Sequence, residues 1–474
     1  MEQTKSEAGW ADLLGAGRLP RFALICLGVW MNAADSLVTA TIMPSVGADL
    51  GGYAYFGWAV AGFMVGGILA SASAGRLSEI FGLRAATCLA GLLFALGCVL
   101  SAAAPGIEIF LAGRLIQGVG SGWISGFAMV AIAWLFPERH LARVFASVTA
   151  VWGIATVLGP LFGGLFAQAG NWRMVFWAFA GQAVLFAAAA PWLLQGRETA
   201  RAAVATGIPW PQLALVGLGV TAVALADVIP VPAIALTLVA AGLGALVLVL
   251  RLDARSRLRL LPRRAGDLRS VCGAAYLALF ALTAASMGLS VYGPAILQQL
   301  HGLSPLWAGY VIGVEALAWT LAAFAVADAG LDAERRWIRR GAVCVLAGVA
   351  GLLLTMRAAP LAWIIAAAAV MGAGFGFSSS LTNRRVMGAL SDEDRAIGSS
   401  ALIAVRQTGG ATGAAIAGAS ANLVGFNAGL TDASAAAVAT WVFATALPLA
   451  LAGVWASWRL TDDTLSLQGR GQGG

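Results

Sequence analysis

The stretch FALICLGVWMNAADSLVTATIMPSV, residues 22–46, is long, apolar and interrupted by one charge, Asp35. Its length sets the fold class, because roughly 20 helical residues are needed to cross the hydrocarbon of a bilayer. Its charge sets the functional question. A carboxylate at such a depth is costly and has to face a cavity or a partner, which makes it a functional candidate by default.

The rest of the chain repeats the pattern. Hydrophobic residues make up 60% of the sequence and charged residues only 11%, the composition of an integral membrane protein. Fourteen apolar blocks can be read between residues 21 and 458, separated by short polar or Gly/Pro-bearing breaks, so an all-α polytopic bundle of 14 transmembrane helices is expected. Residues 211–251 would be far too long for one span, and the IPVP sequence at 229–232 divides them into a hairpin. The expected organisation is a cytoplasmic N-terminal segment 1–20, a six-helix bundle 21–195, linkers 196–269 holding the inserted hairpin 211–251, a second six-helix bundle 270–458, and a cytoplasmic tail 459–474. The first apolar block is too long and too polar in its middle for a cleaved signal peptide.

Charge placement orients this bundle. With both termini in the cytoplasm, every Lys and Arg falls in cytoplasmic loops and ends except Arg173 and Arg357 outside and Arg114 and Arg406 within spans. The densest block, RLDARSRLRLLPRRAGDLR at 251–269, lies on the same side as RETAR at 197–201, which requires an even number of crossings between them. The net charge of +7 therefore reads as topology in a plasma (inner) membrane rather than as affinity for nucleic acid. Trp10, Trp134, Trp172, Trp210, Trp337 and Trp458 fall near span ends and are expected to be interfacial anchors. A weak internal repeat is also present. RAATCLAG at 84–91 resembles RGAVCVLAG at 340–348, and GVGSG at 118–122 pairs with GAGFG at 372–376, both about 255 residues apart. Such repeats are a mark of transporters whose site lies at the midplane between the halves.

Several chemistries have no support. Lys5 is the sole lysine, so there is no GxxxxGK[ST] phosphate loop and no intramembrane Schiff-base lysine. His140 and His301 are expected in loops on opposite sides, where they cannot share a metal. The five cysteines, Cys26, Cys88, Cys98, Cys272 and Cys344, fall singly in apolar blocks and suggest neither a disulfide framework nor a metal site. No cofactor, metal or enzymatic activity is expected, and transport would have to be driven by a gradient.

Within the spans lie Asp35, Arg114, Glu315 and Arg406, with Asp227 nearer a helix end. Glu315 and Arg406 fall at similar depths near the midplane, as do Asp35 and Arg114 in the outer half, so two opposite-charge pairs are possible. A carboxyl group out of water favours its neutral form and a nearby guanidinium favours its ionised form. A movement that changes either influence would load or release a proton, which makes Asp35, Arg114 and Glu315 the candidates for proton coupling. The alternative is an ion pair that only fixes helix packing. Glycine runs on single helices are expected mostly to let backbones approach, and the Gly159-Pro160 step to bend its helix.

These segments together resemble the major facilitator superfamily, and within it the fourteen-helix drug:proton antiporter branch. GRLSEIFGLR at 75–84 looks like the superfamily's GxLxDxxGxR loop, with Gly75, Gly82 and Arg84 in place and Glu79 where Asp is usual. The resemblance implies a cytoplasmic gate at this loop. RLIQGVGSG at 114–122 is similar to the helix 4 motif whose arginine is implicated in proton transfer, here Arg114 with Gln117 and Gly118. WGIATVLGPLFGG at 152–164 looks like the antiporter motif, carried by Gly159, Pro160, Gly163 and Gly164 with Ala155 at a position where glycine is common. NWRMVFW at 171–177 and VRQTGGATGAAIAG at 405–418 are further branch-typical stretches, and Asp35 followed nine residues later by Pro44 matches the branch's helix 1 pattern. The departures are LVTA at 37–40 and Glu315 where an apolar or small residue is usual.

The expected function is proton-coupled export of small amphipathic molecules by a monomer embedded in the lipid bilayer, with multidrug efflux the leading case. Candidate pocket residues are Trp30, Asn32, Gln117, Trp152, Glu315, Trp319, Arg406 and Gln407; the carboxylates of Asp35 and Glu315 can favour cationic substrates, and tryptophans such as Trp30, Trp58, Trp152 and Trp319 supply stacking or cation–π surface. A dedicated exporter of one metabolite, lipid or siderophore, or a non-transporting sensor on the same scaffold, are the competing readings.

Overall fold

A computed structural model describes residues 18–136, 138–194, 207–229, 231–327 and 329–462. Among them the chain is helical throughout, with no strand. The helices are α1 (Leu19–Leu50), α2 (Phe56–Ala102), α3 (Ile107–Leu135), α4 (Glu138–Gln168), α5 (Arg173–Leu193), α6 (Trp210–Val228), α7 (Pro232–Arg255), α8 (Val271–His301), α9 (Pro305–Ala325), α10 (Leu331–Thr355), α11 (Leu361–Ala389), α12 (Asp392–Leu423) and α13 (Asp432–Leu460). Twelve helical segments are long and apolar enough to cross a membrane, two of them being the arms of α2. The apolar part of α6, Trp210–Ala226, is shorter. The chain is a multi-pass membrane protein.

Local chemistry sets the helix ends. Ser270, Ser304 and Ser391 each accept a hydrogen bond from the backbone N–H three residues on, at the starts of α8, α9 and α12. Thr431 and Ser434 form a reciprocal capping box at the start of α13. Gly51 and Gly302 close α1 and α8 in the left-handed conformation, with φ of 68° and 63°.

The stretch 75–84, expected as a loop, is helical except at one residue. Gly82, at φ 76° and ψ 149°, breaks α2 into two arms, a conformation that a side chain would resist. One glycine is enough to turn the chain, so no loop of several residues is needed.

The arms of α2 clasp α3 through glycine. A Cβ at Gly118 would lie 2.1 Å from the carbonyl oxygen of Phe63, and one at Gly122 would lie 2.3 Å from that of Gly67, both on the first arm. Gly120 faces the second arm, where its Cβ would meet the Phe94 nitrogen at 2.4 Å. The GAGFG stretch of α11 repeats the arrangement. Gly372 and Gly376 face the carbonyl oxygens of Glu315 and Trp319 on α9 at 2.0 and 2.2 Å, and Gly374 faces that of Gly341 on α10 at 2.5 Å. The sequence repeat is thus a repeat of backbone contacts, in which Phe63 and Glu315 occupy matching places. Small residues allow this approach where lipid offers no hydrophobic drive between helices.

Helices α6 and α7 pair at Gly219 and Gly242, where a Cβ on Gly242 would meet the Gly219 carbonyl oxygen at 2.5 Å. Val223 and Ala224 of α6 join Ala61 of α2 and Ala415 of α12 in one small buried cluster. The outer side of α7 is bare, with Leu236, Val247 and Leu248 exposed.

The two ends of the molecule differ. At one, Tyr53, Phe56, Tyr292 and Phe426 form an aromatic cluster with centroids 5.0 to 6.1 Å apart, and Asn422 donates to the Ala54 carbonyl at 2.7 Å. This aromatic end ties α1, α2, α8 and α12 together. The other end is rich in arginine: buried Glu334 holds Arg384 at 2.7 Å and Arg385 at 3.4 Å, and Arg259 pairs with Asp394 at 3.0 Å.

Three expectations about single residues change. Trp172 is buried, not an interfacial anchor: it packs edge-on to Phe110 and Phe176 and donates to Asp49 at 3.1 Å, because Arg173 and Asp49 pair beside it. Trp210 and Trp458 are exposed at helix ends, whereas Trp10 and the Trp134 side chain lie outside the described residues. The histidines sit in helices rather than loops, His140 buried in α4 against Arg18 at 3.1 Å and His301 at the end of α8 bonded to the Met356 carbonyl at 2.9 Å. The side chain of Asp227 is likewise outside the described residues.

Candidate functional site

Asp35 projects from α1 into a site with no water-accessible surface. Arg114 of α3 reaches both carboxylate oxygens with one nitrogen, Nη1, at 3.0 and 2.8 Å. Gln117, one helical turn beyond Arg114, donates from Nε2 to Asp35 Oδ1 at 2.7 Å and accepts from Arg114 Nη1 through Oε1 at 2.7 Å. Spacing explains the triad, since residues three apart on a helix share a face. Each member touches the other two.

Two contacts complete the cage around the guanidinium. Arg114 Nε donates to the Ala59 carbonyl at 3.3 Å, and its Cζ lies 4.5 Å from the centre of the Phe63 ring. A buried charge pair is kept only where its remaining donors and acceptors are satisfied, and here backbone, amide and ring supply that. Phe63 and the Ala59 carbonyl have no signature in the sequence. They are found only through the glycine-mediated approach of α2 to α3.

The second candidate pair does not form. Glu315 is half-buried on α9 and, among the described residues, makes no hydrogen bond or ion pair. Arg406 of α12 instead stacks on Trp319, with Cζ 5.4 Å from the ring centre, and Trp319 also stacks on Phe375 at 5.0 Å and 18°. The ring one turn from Glu315 takes the guanidinium, a favourable use of an arginine away from water. Gln407, next to Arg406, keeps a buried Oε1 without a hydrogen-bond partner among the described residues. Arg406, Trp319 and Phe375 thus form a stacked group next to Glu315 on α9, with Phe375 the member that sequence reading missed, while Gln407 Nε2 lies near Gly67 of α2.

The remaining pocket candidates are spread out. Trp30 donates to Gln182 of α5 at 2.9 Å, and Asn32 donates to Ser125 of α3 at 2.9 Å, so both are engaged inside the α1–α5 group. Trp152 is exposed on α4.

The segment 159–164 wedges α4 between α1 and α9. Gly159 and Gly163 face α1, where a Cβ would meet Leu37 Cβ at 2.8 Å and the Val38 carbonyl oxygen at 3.1 Å. On the opposite side Gly164 faces Leu306 Cα at 2.4 Å, and Pro160 Cβ lies 2.9 Å from where a Gly309 Cβ would be. This six-residue segment therefore touches both the helix of Asp35 and the helix of Glu315.

In the 75–84 segment, Gly82 supplies the break and Arg84 is half-buried beyond it. The side chain of Glu79, and the surroundings of Gly75, lie outside the described residues. Among the described residues no group of three or more His, Cys, Asp or Glu could hold a metal ion.

The sequence profile described as Major Facilitator Superfamily matches residues 25–414. A probable multidrug-efflux transporter of Mycobacterium tuberculosis is 30% identical over 479 aligned positions, covering 97% of this chain and 98% of that protein. The multidrug resistance protein 3 of Bacillus subtilis is 31% identical over 153 positions, 32% of this chain and 30% of its own length. Among solved structures, a D-xylose-proton symporter superposes with a TM-score of 0.66 at 16% identity, covering 94% of this chain and 97% of that one. That likeness speaks to the fold.

Proposed function

The chain belongs to the Major Facilitator Superfamily, a family of transporters, and we propose that it is a proton-coupled antiporter exporting small amphipathic molecules, with multidrug efflux its work. The observation that carries this reading is the buried triad of Asp35, Arg114 and Gln117. A lone ionised pair inside a membrane protein is costly to keep. It is well suited to coupling, because parting Asp35 from Arg114 in one conformation and rejoining them in another changes how readily the carboxylate holds a proton. Alternating access supplies the two conformations.

In this reading all fourteen apolar stretches are spans. Residues 21–195 and 270–458 are six-helix bundles, 211–251 is an inserted hairpin, and the arginine end with both termini faces the cytoplasm of a plasma (inner) membrane. The 19 residues of α6 give roughly 28 Å of helix, close to the hydrocarbon thickness. The arginine bias supports the orientation, and the protein works as a monomer. Gly75, Glu79, Gly82 and Arg84 serve as the gate, and the wedge at Gly159, Pro160, Gly163 and Gly164 passes movement between the bundles. Glu315, which makes no hydrogen bond or ion pair among the described residues, favours cationic amphipathic substrates. The mycobacterial relative, a probable multidrug-efflux transporter, supports efflux of many compounds.

The test uses proteoliposomes under an imposed pH gradient with lipophilic cations, neutral drugs and anions, comparing wild type with Asp35→Asn and Glu315→Gln. Cations should move in wild type, Asp35→Asn should abolish gradient-driven movement while leaving the protein folded, and Glu315→Gln should change the substrate range. Full coupling in Asp35→Asn would remove Asp35 as the proton site, and movement of nothing in the panel would favour a dedicated substrate or a sensor.

A further inference from the structure

We propose that the arginine-rich strap between α7 and α8 is a binding site for the phosphate headgroups of anionic phospholipids in the surrounding leaflet. Residues 251–269 contain seven arginines, and six of them, Arg251, Arg255, Arg257, Arg263, Arg264 and Arg269, are exposed. Among the described residues none of the six guanidinium groups has an ion pair or a hydrogen bond; only Arg259 is neutralised, by Asp394 at 3.0 Å.

A sorting signal for membrane topology needs charge but no fixed shape. This strap has one. Buried Asp253 accepts from the backbone N–H groups of Leu260 at 2.7 Å and Leu261 at 2.9 Å, and Gln212 of α6 donates to the Leu258 carbonyl at 2.9 Å. Ser270 donates to the carbonyls of Arg264 and Asp267 at 2.8 and 2.7 Å. Leu261, Pro262 and Ala265 are buried, and Pro262 packs beside Gly398 of α12. The inward side of the strap is spent on the protein, so its arginines are held outward on a fixed base.

Position and shape then select the occupant. The strap joins the end of one bilayer-crossing helix, at Arg255, to the start of another, at Val271, so it lies at the hydrocarbon boundary. Exposed Leu252, Leu258 and Leu268 alternate with the arginines. Guanidinium forks match phosphate oxygens two at a time, and the leucines suit the upper acyl chains. A soluble polyanion would use the charges and leave the leucines in water.

The test is native mass spectrometry of the whole detergent-purified protein titrated with phosphatidylglycerol or phosphatidylcholine. Wild type is compared with R257Q/R263Q/R264Q, which keeps the other four arginines of the strap, and orientation is checked by labelling from each side. At the usual strength of one arginine near an anionic surface, the triple variant should lose about a hundredfold of the preference for phosphatidylglycerol. R257K/R263K/R264K should recover part of it. If the triple variant fails to fold, Arg263→Gln and Arg264→Gln singly should each weaken that preference about fivefold. Equal phosphatidylglycerol binding by wild type and the glutamine variants overturns the proposal. Binding of inorganic phosphate or an RNA oligonucleotide at these arginines, without preference for phosphatidylglycerol over phosphatidylcholine, overturns it in favour of a soluble polyanion.

Discussion

Replacing Gly118 by alanine tests whether glycine contacts hold the Asp35 site together. The added Cβ would sit 2.1 Å from the Phe63 carbonyl oxygen and 2.8 Å from the Phe63 Cα, and all of these are backbone atoms rather than the tip of a movable side chain. Ordinary contact begins near 3.4 Å, so α2 has to withdraw by about 1.3 Å, the difference between 3.4 and 2.1. The hydrogen bond from Arg114 Nε to the Ala59 carbonyl, one turn from Phe63 and already 3.3 Å long, opens with that shift, and the Phe63 ring leaves the guanidinium. Overpacking of this kind costs about 1–3 kcal/mol, and the lost hydrogen bond adds about 1 kcal/mol. Thermal unfolding in detergent reads the sum, with Gly153→Ala as the control because its Cβ would meet nothing within 4 Å. Gly118→Ala should lower the apparent midpoint by several degrees. Gly153→Ala should leave it unchanged or raise it slightly, since alanine is the better helix former. Equal midpoints for the two variants would refute the argument.

Two further outcomes follow from the same geometry. Arg114→Gln leaves the Asp35 carboxylate buried without its cation and should destabilise the fold by about 3–5 kcal/mol; adding Asp35→Asn should restore much of that, and additive costs in the same unfolding assay would show that the pair is not coupled. Asp253→Ala strands the backbone N–H groups of Leu260 and Leu261 at a cost of about 1–3 kcal/mol, so hydrogen exchange across 256–270 should speed up; unchanged protection would mean that other contacts hold the strap.

What could be read from the sequence divides along physical lines. Twelve of the fourteen expected spans were legible, as helices long and apolar enough to cross a membrane, because hydropathy over 20 residues is a bulk property that no tertiary contact overrides; among the described residues α6 and α12 do not reach that length of apolar helix. The Asp35 and Arg114 contact was legible as a match of depth, and the structure supplies the hydrogen bonds. Depth alone left the pairing of Glu315 and Arg406 open, and in the structure the Trp319 ring, four residues from Glu315, takes the guanidinium. The stretch 75–84 looked like a loop because polar residues and glycine gather there, yet only Gly82 leaves the helix. Trp172 was misread because its partner Asp49 lies 123 residues away, and no local pattern announces such a pairing. The weak repeat proved to be a repeat of glycine contacts, which also shows what the halves do not share: Phe63 covers an arginine where Glu315, among the described residues, makes no hydrogen bond or ion pair.

The glycines of α3 and α11 meet backbone inside their own groups of helices, whereas Gly164 of α4 meets Leu306 across them. In the proposed alternating-access cycle, relative movement of the groups would separate only the second kind of contact. A methyl group at Gly372 therefore weighs on every conformation alike and is felt as lost protein. The same methyl at Gly164 weighs only on the shape in which α4 touches α9, and is felt as a changed balance between shapes. In the proposed cycle, turnover would in that way be tuned at Gly164 and not at Gly372.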